Sequence, residues 1–425
     1  MTAQQIGIKA RNYSLGLLVV VYTFNFIDRQ ILSILLPAIK VEFDVGDTML
    51  GFLAGPAFAL FYATLGVPIA LLADRYSRRN LIAVALAIWS GMTALSGLAS
   101  SMFYLTLARI GVGIGEAGCS PPAHSLIADY FPPERRATAL GIYTIGISVG
   151  IMTAFMAGGW VAQNIGWREA FFIVGVPGLL LALLVRFTLV EPPRGSSEGR
   201  SDEGEAATMS QVGRFLMKRR SFIHIALGSG LASFAGYTNV NFFPSFMVRS
   251  HGMTLAEVGF TLGLIYGIAG AIGFAGGGAI ADKLALTNKQ LAMRGMALAT
   301  VLAAIASIPV YLLADKTLVL TLFVIPAVIS NFYLATMFAQ TQSMVGLRMR
   351  AVAAAFLLLI INIIGLGLGP FLTGILSDYL AADYGVESLR YSLLIVAVVI
   401  GPWAALHFFL AGNHIDHDLT RVNEN

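Results

Sequence analysis

Long apolar segments dominate the chain, and their number constrains its fold more than any other feature. About 20 apolar residues in a helix are enough to cross the ~30 Å hydrocarbon core of a bilayer. Twelve such segments are present, covering residues 14–38, 48–73, 80–100, 102–128, 137–163, 168–189, 221–248, 255–281, 291–313, 317–344, 351–377 and 389–410. Segments of this length predict helices, whose main-chain polar groups are satisfied within the segment. The chain is therefore predicted to be an all-α polytopic membrane protein with twelve transmembrane helices.

Composition excludes the soluble alternatives. Hydrophobic residues make up 57% of the 425 residues and charged residues only 12%, about half the ~25% of a soluble domain. This excludes an ordinary soluble enzyme, a disordered protein and a coiled coil. Cys119 is the one cysteine, so the chain has no internal disulfide and no cysteine-cluster metal site.

The connections between the apolar segments predict domains and orientation. Most are short, but residues 191–220 are rich in Pro, Gly, Ser and charge and predict a cytoplasmic linker. The linker separates a six-helix bundle, 1–190, from a second one, 221–412, followed by a cytoplasmic tail, 413–425. With the N-terminus inside, 20 of the 27 Lys and Arg residues lie on the inner side and 5 on the outer side. This bias predicts that both termini are cytoplasmic.

The two halves repeat one short motif. The second segment ends in ALLADRYSRR and the eighth in GAIADK, which aligns Asp74-Arg75 with Asp282-Lys283 at an offset of 208 residues. Internal repeats of half the chain are common in secondary transporters.

These motifs resemble those of the major facilitator superfamily. ALLADRYSRR is similar to the G-x-x-x-D-R-x-G-R-R segment of that family, although Ala70 and Ser77 replace its two glycines. Segment four carries Arg109 with a series of glycines, and segment five has its own glycine series, as in the family. The resemblance implies a major facilitator fold that works by alternating access.

A narrower resemblance points to one branch of that family. TFNFIDRQILSILLP in segment one and RIGVGIGEAGCSPPAHSLIADYFPPERRA in segment four are similar to the Spinster branch, whose members move sphingolipids and lysophospholipids. The NFIDR core also resembles a segment of organic anion:cation symporters. The resemblance therefore implies a lipid substrate and leaves a small organic anion as the alternative.

Four ionisable residues lie well inside the apolar segments: Asp28, Arg29, Arg109 and Glu116. Each costs at least ~2.5–3.5 kcal/mol at the bilayer centre on insertion scales. They could form a structural ion-pair network, but buried pairs are poor net stabilisers, which favours a function. Glu116 is the first candidate for a proton-coupling site and Asp28 the second. The Spinster resemblance implies the same assignment.

Arginines and neighbouring polar residues predict a substrate site. Guanidinium groups match carboxylate and phosphate in a fork, so Arg29 and Arg109 are candidates for binding an anionic headgroup. Tyr22, Asn25 and Arg29 share one helix face, which we expect to line the cavity. The cores of the segments in the second half carry no charge. One charged wall and one apolar wall suit an amphipathic lipid.

A gate is implied by the family resemblance. It would consist of the charged residues at the inner ends of segments two and eight and at the start of segment five: Asp74, Arg75, Arg135, Arg136, Asp282 and Lys283. The alternative is that the basic members of this set only determine the membrane topology.

Pro121 and Pro122 should kink segment four just after Glu116, and the glycines of segment five should allow close helix packing.

The sequence contains no motif for catalysis, nucleotide binding or metal binding. The chain is thus predicted to be no enzyme, with no catalytic residues, no metal site and no cofactor beyond a proton gradient. Expected partners are an amphipathic small molecule or lipid, protons and membrane lipids, with no nucleic acid. We expect a monomer in a bacterial inner membrane. A non-transporting receptor or scaffold is the remaining rival, but it needs no intramembrane acids.

Overall fold

The computed structural model describes residues 7–194, 208–346 and 349–420, and the regular structure within these ranges is helical. The helices of the first half are α1 (Ile8–Phe43), α2 (Asp47–Ala54), α3 (Pro56–Arg75), α4 (Arg78–Ser96), α5 (Met102–Glu116), α6 (Ser120–Tyr130), α7 (Pro133–Asn164) and α8 (Trp167–Thr188). Those of the second half are α9 (Met209–Met217), α10 (Arg220–His251), α11 (Leu255–Thr287), α12 (Lys289–Leu312), α13 (Lys316–Ile329), α14 (Tyr333–Ser343), α15 (Arg350–Ile361), α16 (Gly369–Tyr384) and α17 (Ser388–Thr420). A π-helical stretch, Asn362–Leu368, joins α15 to α16.

Each predicted segment coincides with one helix or with a run of consecutive helices, which confirms the all-α membrane fold. Among the described residues, nine stretches are long and apolar enough to cross a membrane, and the last of them, Val352–Leu419, takes in segments eleven and twelve. Segments four and seven fall outside these stretches. Segment four is divided into two short helices, and α10 carries five Ser, two Asn and one Tyr side chain.

Segment four breaks where the proline pair predicted a kink. Helix α5 ends at Glu116, and α6 starts at Ser120 with proline in its first turn. Proline suits this position because the first-turn N–H has no partner within the helix. The break leaves Glu116 at the carboxyl end of α5.

The linker is partly helical, which the sequence did not predict. Thr208 and Gln211 form a capping box at the start of α9, and Val212 and Leu216 are fully buried. These two side chains, four residues apart on one helix face, join an apolar cluster that includes Met293 and Leu357. Residues 195–207 of the linker lie outside the described residues.

The chain forms two compact units. The first takes in described residues of Met1–Asp44, Ala57–Gly204 and Thr254–Gly263. The second takes in those of Val45–Pro56, Glu205–Met253 and Leu264–Asn425. Each unit thus contains one short segment from the other half of the sequence, and the offset of 208 residues relates the two segments. Because corresponding segments of the two halves are exchanged between the units, this division supports the internal repeat. The domain boundaries at 190 and 221 stay a prediction.

Glycines of segment five lie where helices approach closely, as predicted. A Cβ atom added to Gly150 would lie 2.7 Å from the carbonyl oxygen of Thr23 on α1. One added to Gly159 would lie 2.4 Å from the carbonyl oxygen of Leu255. Gly141, in contrast, has open space around it. Only part of the glycine series therefore serves close packing.

Candidate transport site

A buried ion pair joins α1 to α5 in the first unit. Both Nε and Nη2 of Arg29 donate to Oε2 of Glu116, at 2.9 and 2.7 Å. Arg29 is 8% exposed and Glu116 1%, so neither charge is hydrated by bulk water. A charge-assisted contact of this kind is about twice as strong as a neutral hydrogen bond.

Asp28 lies next to this pair, and its carboxyl group has a different hydrogen-bond donor from that of Glu116. Its Oδ2 accepts a hydrogen bond from the indole N–H of Trp89 at 3.0 Å, and the residue is fully buried. Arg109 donates from Nη1 to the main-chain oxygen of Asp28 at 3.2 Å. Arg109 therefore contacts the backbone of Asp28, and the Asp28 carboxyl group is held by a neutral donor.

Aromatic rings surround the Arg29 guanidinium group. Its Cζ lies 4.6 Å from the ring centre of Tyr62, 5.0 Å from that of Phe26 and 5.1 Å from that of Phe58. Arg109 lies over the Phe58 ring as well, at 5.4 Å. Cation–π contacts contribute about 0.5–2 kcal/mol each, and here they compensate for lost hydration.

The remaining predicted substrate residues lie in the same region of the first unit. Asn25 is 1% exposed and lies one helical turn before Arg29 on α1. Tyr22 stacks on Tyr143 with ring centres 4.2 Å apart. The structure thus brings all six predicted proton and substrate residues of α1 and α5 together. Their roles stay predictions.

The predicted gate is only partly described. Arg75, Arg135 and Lys283 are exposed, and Arg136 donates to the main-chain oxygen of Ala128 at 3.2 Å. The side chains of Asp74 and Asp282 lie outside the described residues. The gate therefore stays a prediction.

Arg78 of the ALLADRYSRR motif, for which the sequence predicted no role of its own, is the centre of a buried cluster. It is 1% exposed and forms ion pairs with Asp129 and, at 2.9 Å, with Glu191. It also donates to Ser125 at 3.0 Å and to the main-chain oxygen of Pro192 at 2.8 Å. Arg78 thus joins the start of α4 to the end of α6 and to the chain after α8.

Glu191 caps the N-terminus of α4 in this cluster. Burial alone would raise the pKa of its carboxyl group. Hydrogen bonds from the N–H of Arg79 and from the side chains of Arg78 and Ser77 outweigh burial and lower that pKa below its usual value. The carboxylate also lies where the helix dipole favours a negative charge.

A second cluster outside the predicted set holds α2 in the second unit. Arg249 donates to both carboxylate oxygens of Asp47, at 2.7 and 2.6 Å, and Ser377 donates to one of them at 2.6 Å. Asp378 accepts the main-chain N–H groups of Asp47 and Thr48, both at 2.8 Å. The cluster therefore fastens the N-terminus of α2 to α10 and α16.

No group of three or more His, Cys, Asp or Glu side chains within the described ranges is arranged to hold a metal ion. The buried polar groups of the first unit instead suit binding and release of a proton and an anion.

Comparison with known proteins identifies the family. The model of the Major Facilitator Superfamily matches residues 18–366. An MFS-type efflux pump of Mycolicibacterium smegmatis is 34% identical over 408 residues, which cover 96% of this chain and 94% of the pump. A hexuronate transporter of Bacillus subtilis is 25% identical, with 88% of this chain and 89% of the relative covered.

A solved structure narrows the likeness. It is described as a bacterial homolog to the human lysosomal transporter Spinster, in an inward-facing and unoccupied conformation. The TM-score is 0.87 at 32% identity, and the alignment covers 97% of this chain and 99% of that one. These matches show a transporter and exclude an enzyme. The chain belongs to the major facilitator superfamily and is a Spinster-like member of it.

Proposed function

We propose that this transporter moves an anionic amphipathic lipid, such as a lysophospholipid or a sphingolipid-like molecule, by proton-coupled alternating access. The observation that carries the proposal is the buried pair of Arg29 and Glu116 beside Asp28. Ionisable side chains within a membrane are costly and mark substrate or proton pathways. The spans of the second half offer an apolar wall without charge in its core.

Competition for Arg29 would couple the proton to the substrate. When Glu116 takes up a proton, its attraction for Arg29 weakens, and the guanidinium group becomes available to an incoming phosphate or carboxylate. A proton and an anion together leave the net charge of the buried site unchanged, so they can enter as a pair at low electrostatic cost. The scheme therefore moves both in the same direction.

Asp28 is the second candidate for the proton. A buried carboxyl group that is held by a neutral donor costs less in its neutral form than as an anion. Because Arg109 donates to the main chain of Asp28, a change at Arg109 would also move this carboxyl group. Asp28 on α1 and Arg109 on α5 would thus respond together when the ion pair of Arg29 and Glu116 forms or breaks.

Two experiments separate the substrate classes. Uptake of a labelled lysophospholipid and of glucuronate is measured in proteoliposomes, for the wild type and for Arg109→Ala. We expect the wild type to take up lysophospholipid and Arg109→Ala to lose this uptake at unchanged expression. The control is Arg186→Ala, which changes an exposed arginine and should show normal uptake. Unchanged lysophospholipid uptake in Arg109→Ala would contradict the assignment of Arg109.

The alternative is a proton-coupled symporter of small organic anions. The similarity to the hexuronate transporter favours it, and the same buried arginines could bind a sugar acid. It predicts uptake of glucuronate and none of lysophospholipid in the experiment above. Either result leaves the fold unchanged.

The protein is an integral membrane protein, and its finer setting is part of the proposal. We place it in a bacterial inner membrane as a monomer with both termini in the cytoplasm. The distribution of Lys and Arg between the two sides supports this orientation.

A further inference from the structure

An apolar groove runs along the second unit between α10, α16 and α17. Its volume is about 460 Å³. Leu231 and Phe234 are buried and form its floor, while Leu372, Val399 and Trp403 line its rim. The lining is almost entirely apolar, and His407 lies at one end. The groove is separate from the ion pair of α1 and α5, which belongs to the first unit.

The rim of the groove faces outward. Val399 is 52% exposed, Trp403 50% and Leu372 44%. In a membrane-spanning helix, exposed apolar side chains of this kind face lipid. From Ile395 to His407 the groove wall extends over thirteen residues of α17, and the twelve steps between them span about 18 Å at 1.5 Å per residue. One leaflet of the hydrocarbon core is about 15 Å thick, so the groove has the length of one acyl chain.

Basic side chains gather at the end marked by His407. Its Nδ1 lies 2.9 Å from Nδ1 of His224, and the ring of His414 stacks on that of His224 with centres 6.0 Å apart. The ionisable groups that act on His224 are His407, His414 and Arg220, all of them bases. This end of the groove therefore favours an anion.

The pair of histidines can donate outward. One Nδ1–H must donate to the other Nδ1, because the two nitrogens lie within hydrogen-bonding distance. The ring that accepts at Nδ1 carries its proton on Nε2, which is then a donor. Trp403 lies one turn before His407 on α17, and half-exposed Trp is typical of the level where acyl chains meet headgroups.

We propose that this groove binds an anionic membrane phospholipid, with one acyl chain along α10 and α17 and the phosphate against His224, His407 and Arg220. The occupant is a glycerophospholipid because the groove takes a hydrocarbon chain and the basic cluster takes its headgroup phosphate. Basic pockets between transmembrane helices bind anionic lipid headgroups in the same way. The site is independent of the transported substrate.

Thermal stabilisation of the delipidated, detergent-purified full chain tests the proposal. Phosphatidylglycerol is titrated in, with phosphatidylcholine as the comparison lipid, and the midpoint of unfolding is followed. We expect phosphatidylglycerol to stabilise the wild type at a roughly tenfold lower concentration than phosphatidylcholine, the effect of one hydrogen bond to a charged group. Equal response to the two lipids would overturn the proposal.

Two variants test the two ends of the groove. Val399→Trp fills the groove and should abolish stabilisation by both lipids. Leu302→Trp is the matched control, since Leu302 is a similarly exposed apolar side chain, 48% exposed, on α12. The double change His224→Gln with His407→Gln should keep binding but lose the preference for phosphatidylglycerol. A wild-type response in Val399→Trp, or an unchanged preference in the double variant, would overturn the proposal.

Discussion

At the scale of single residues, the proposed transport mechanism depends on which group contacts Arg29. The Arg29 guanidinium group is held by the carboxylate of Glu116 and by three aromatic rings. The rings hold the guanidinium group whether or not Glu116 is charged, whereas the ion pair depends on the Glu116 carboxylate. A proton on Glu116 would therefore release Arg29 without exposing it to hydrocarbon.

Removing the Arg29 side chain while keeping Glu116 should destabilise the protein. In Arg29→Ala, the Glu116 carboxylate stays buried without its partner, a loss of about 3–5 kcal/mol in the free energy of unfolding. Adding Glu116→Gln removes the orphaned charge, so the double variant should regain most of that loss. Thermal unfolding of the single and double variants measures both changes. Additive effects of the two substitutions would contradict a direct pair.

Glu191 should make stability depend on pH in the acid range. Because its pKa is lowered in the folded protein, its contribution is fully present above the unfolded pKa of about 4.3. That contribution is lost as the pH falls through the folded pKa. Wild type should therefore unfold at a higher temperature than Glu191→Gln at pH 7, and the difference should shrink below about pH 4. A difference that stays constant over this range would refute the capping role.

At the scale of helices, close approach depends on a few glycines. Gly159 and Gly259 face each other across α7 and the start of α11, where an added Cβ would meet the carbonyl oxygen of Leu255 or Phe155 at 2.4 or 2.3 Å. Because main-chain oxygens cannot swing away like side chains, the two helices must separate to accept a larger residue. This contact holds the exchanged segment Thr254–Gly263 in the first unit.

Alanine substitutions should separate packing from helix propensity. Gly159→Ala should lower the free energy of unfolding by about 1–3 kcal/mol through overpacking. Gly141→Ala should leave it unchanged or raise it by up to ~1 kcal/mol, because open space surrounds Gly141 and Ala favours a helix. Thermal unfolding compares the two. Equal effects at both positions would show that close approach at Gly159 contributes nothing.

Local patterns predicted most of the helices, and distant pairs explain what they missed. Apolar length located twelve segments, and Pro121 and Pro122 predicted a kink at the position where segment four is divided into two helices. The partners of Asp47 lie 202 residues away at Arg249 and 330 residues away at Ser377. No local pattern relates such positions. Arg29 and Glu116 could be predicted from the sequence because a charged side chain inside an apolar segment is energetically costly. Arg78 could not, because it resembled an ordinary surface arginine.

At the scale of the whole molecule, the repeat is visible in the fold. The two exchanged segments are related by the offset that aligns Asp74 with Asp282. In each case the start of the second helix of one half packs in the unit formed mainly by the other half. The cluster of Asp47, Arg249 and Asp378 joins residues from both halves of the sequence within the second unit.

The proposed orientation has a direct test, because the native Cys119 is buried. Lys9 and Asp383 are exposed, so Lys9→Cys and Asp383→Cys introduce single accessible thiols. In right-side-out vesicles, an impermeant maleimide should label Asp383→Cys at once and Lys9→Cys only after permeabilisation. The reverse pattern would place the termini outside.

Proton movement during lipid transport tests the central claim most directly. Proteoliposomes that contain a pH-sensitive dye are given lysophospholipid, and the wild type is compared with Glu116→Gln and with the control Asp383→Asn, which changes an exposed carboxylate. We predict proton flux that depends on the lipid, is lost in Glu116→Gln and is kept in Asp383→Asn. Lipid transport without proton flux, equal in all three proteins, would contradict it.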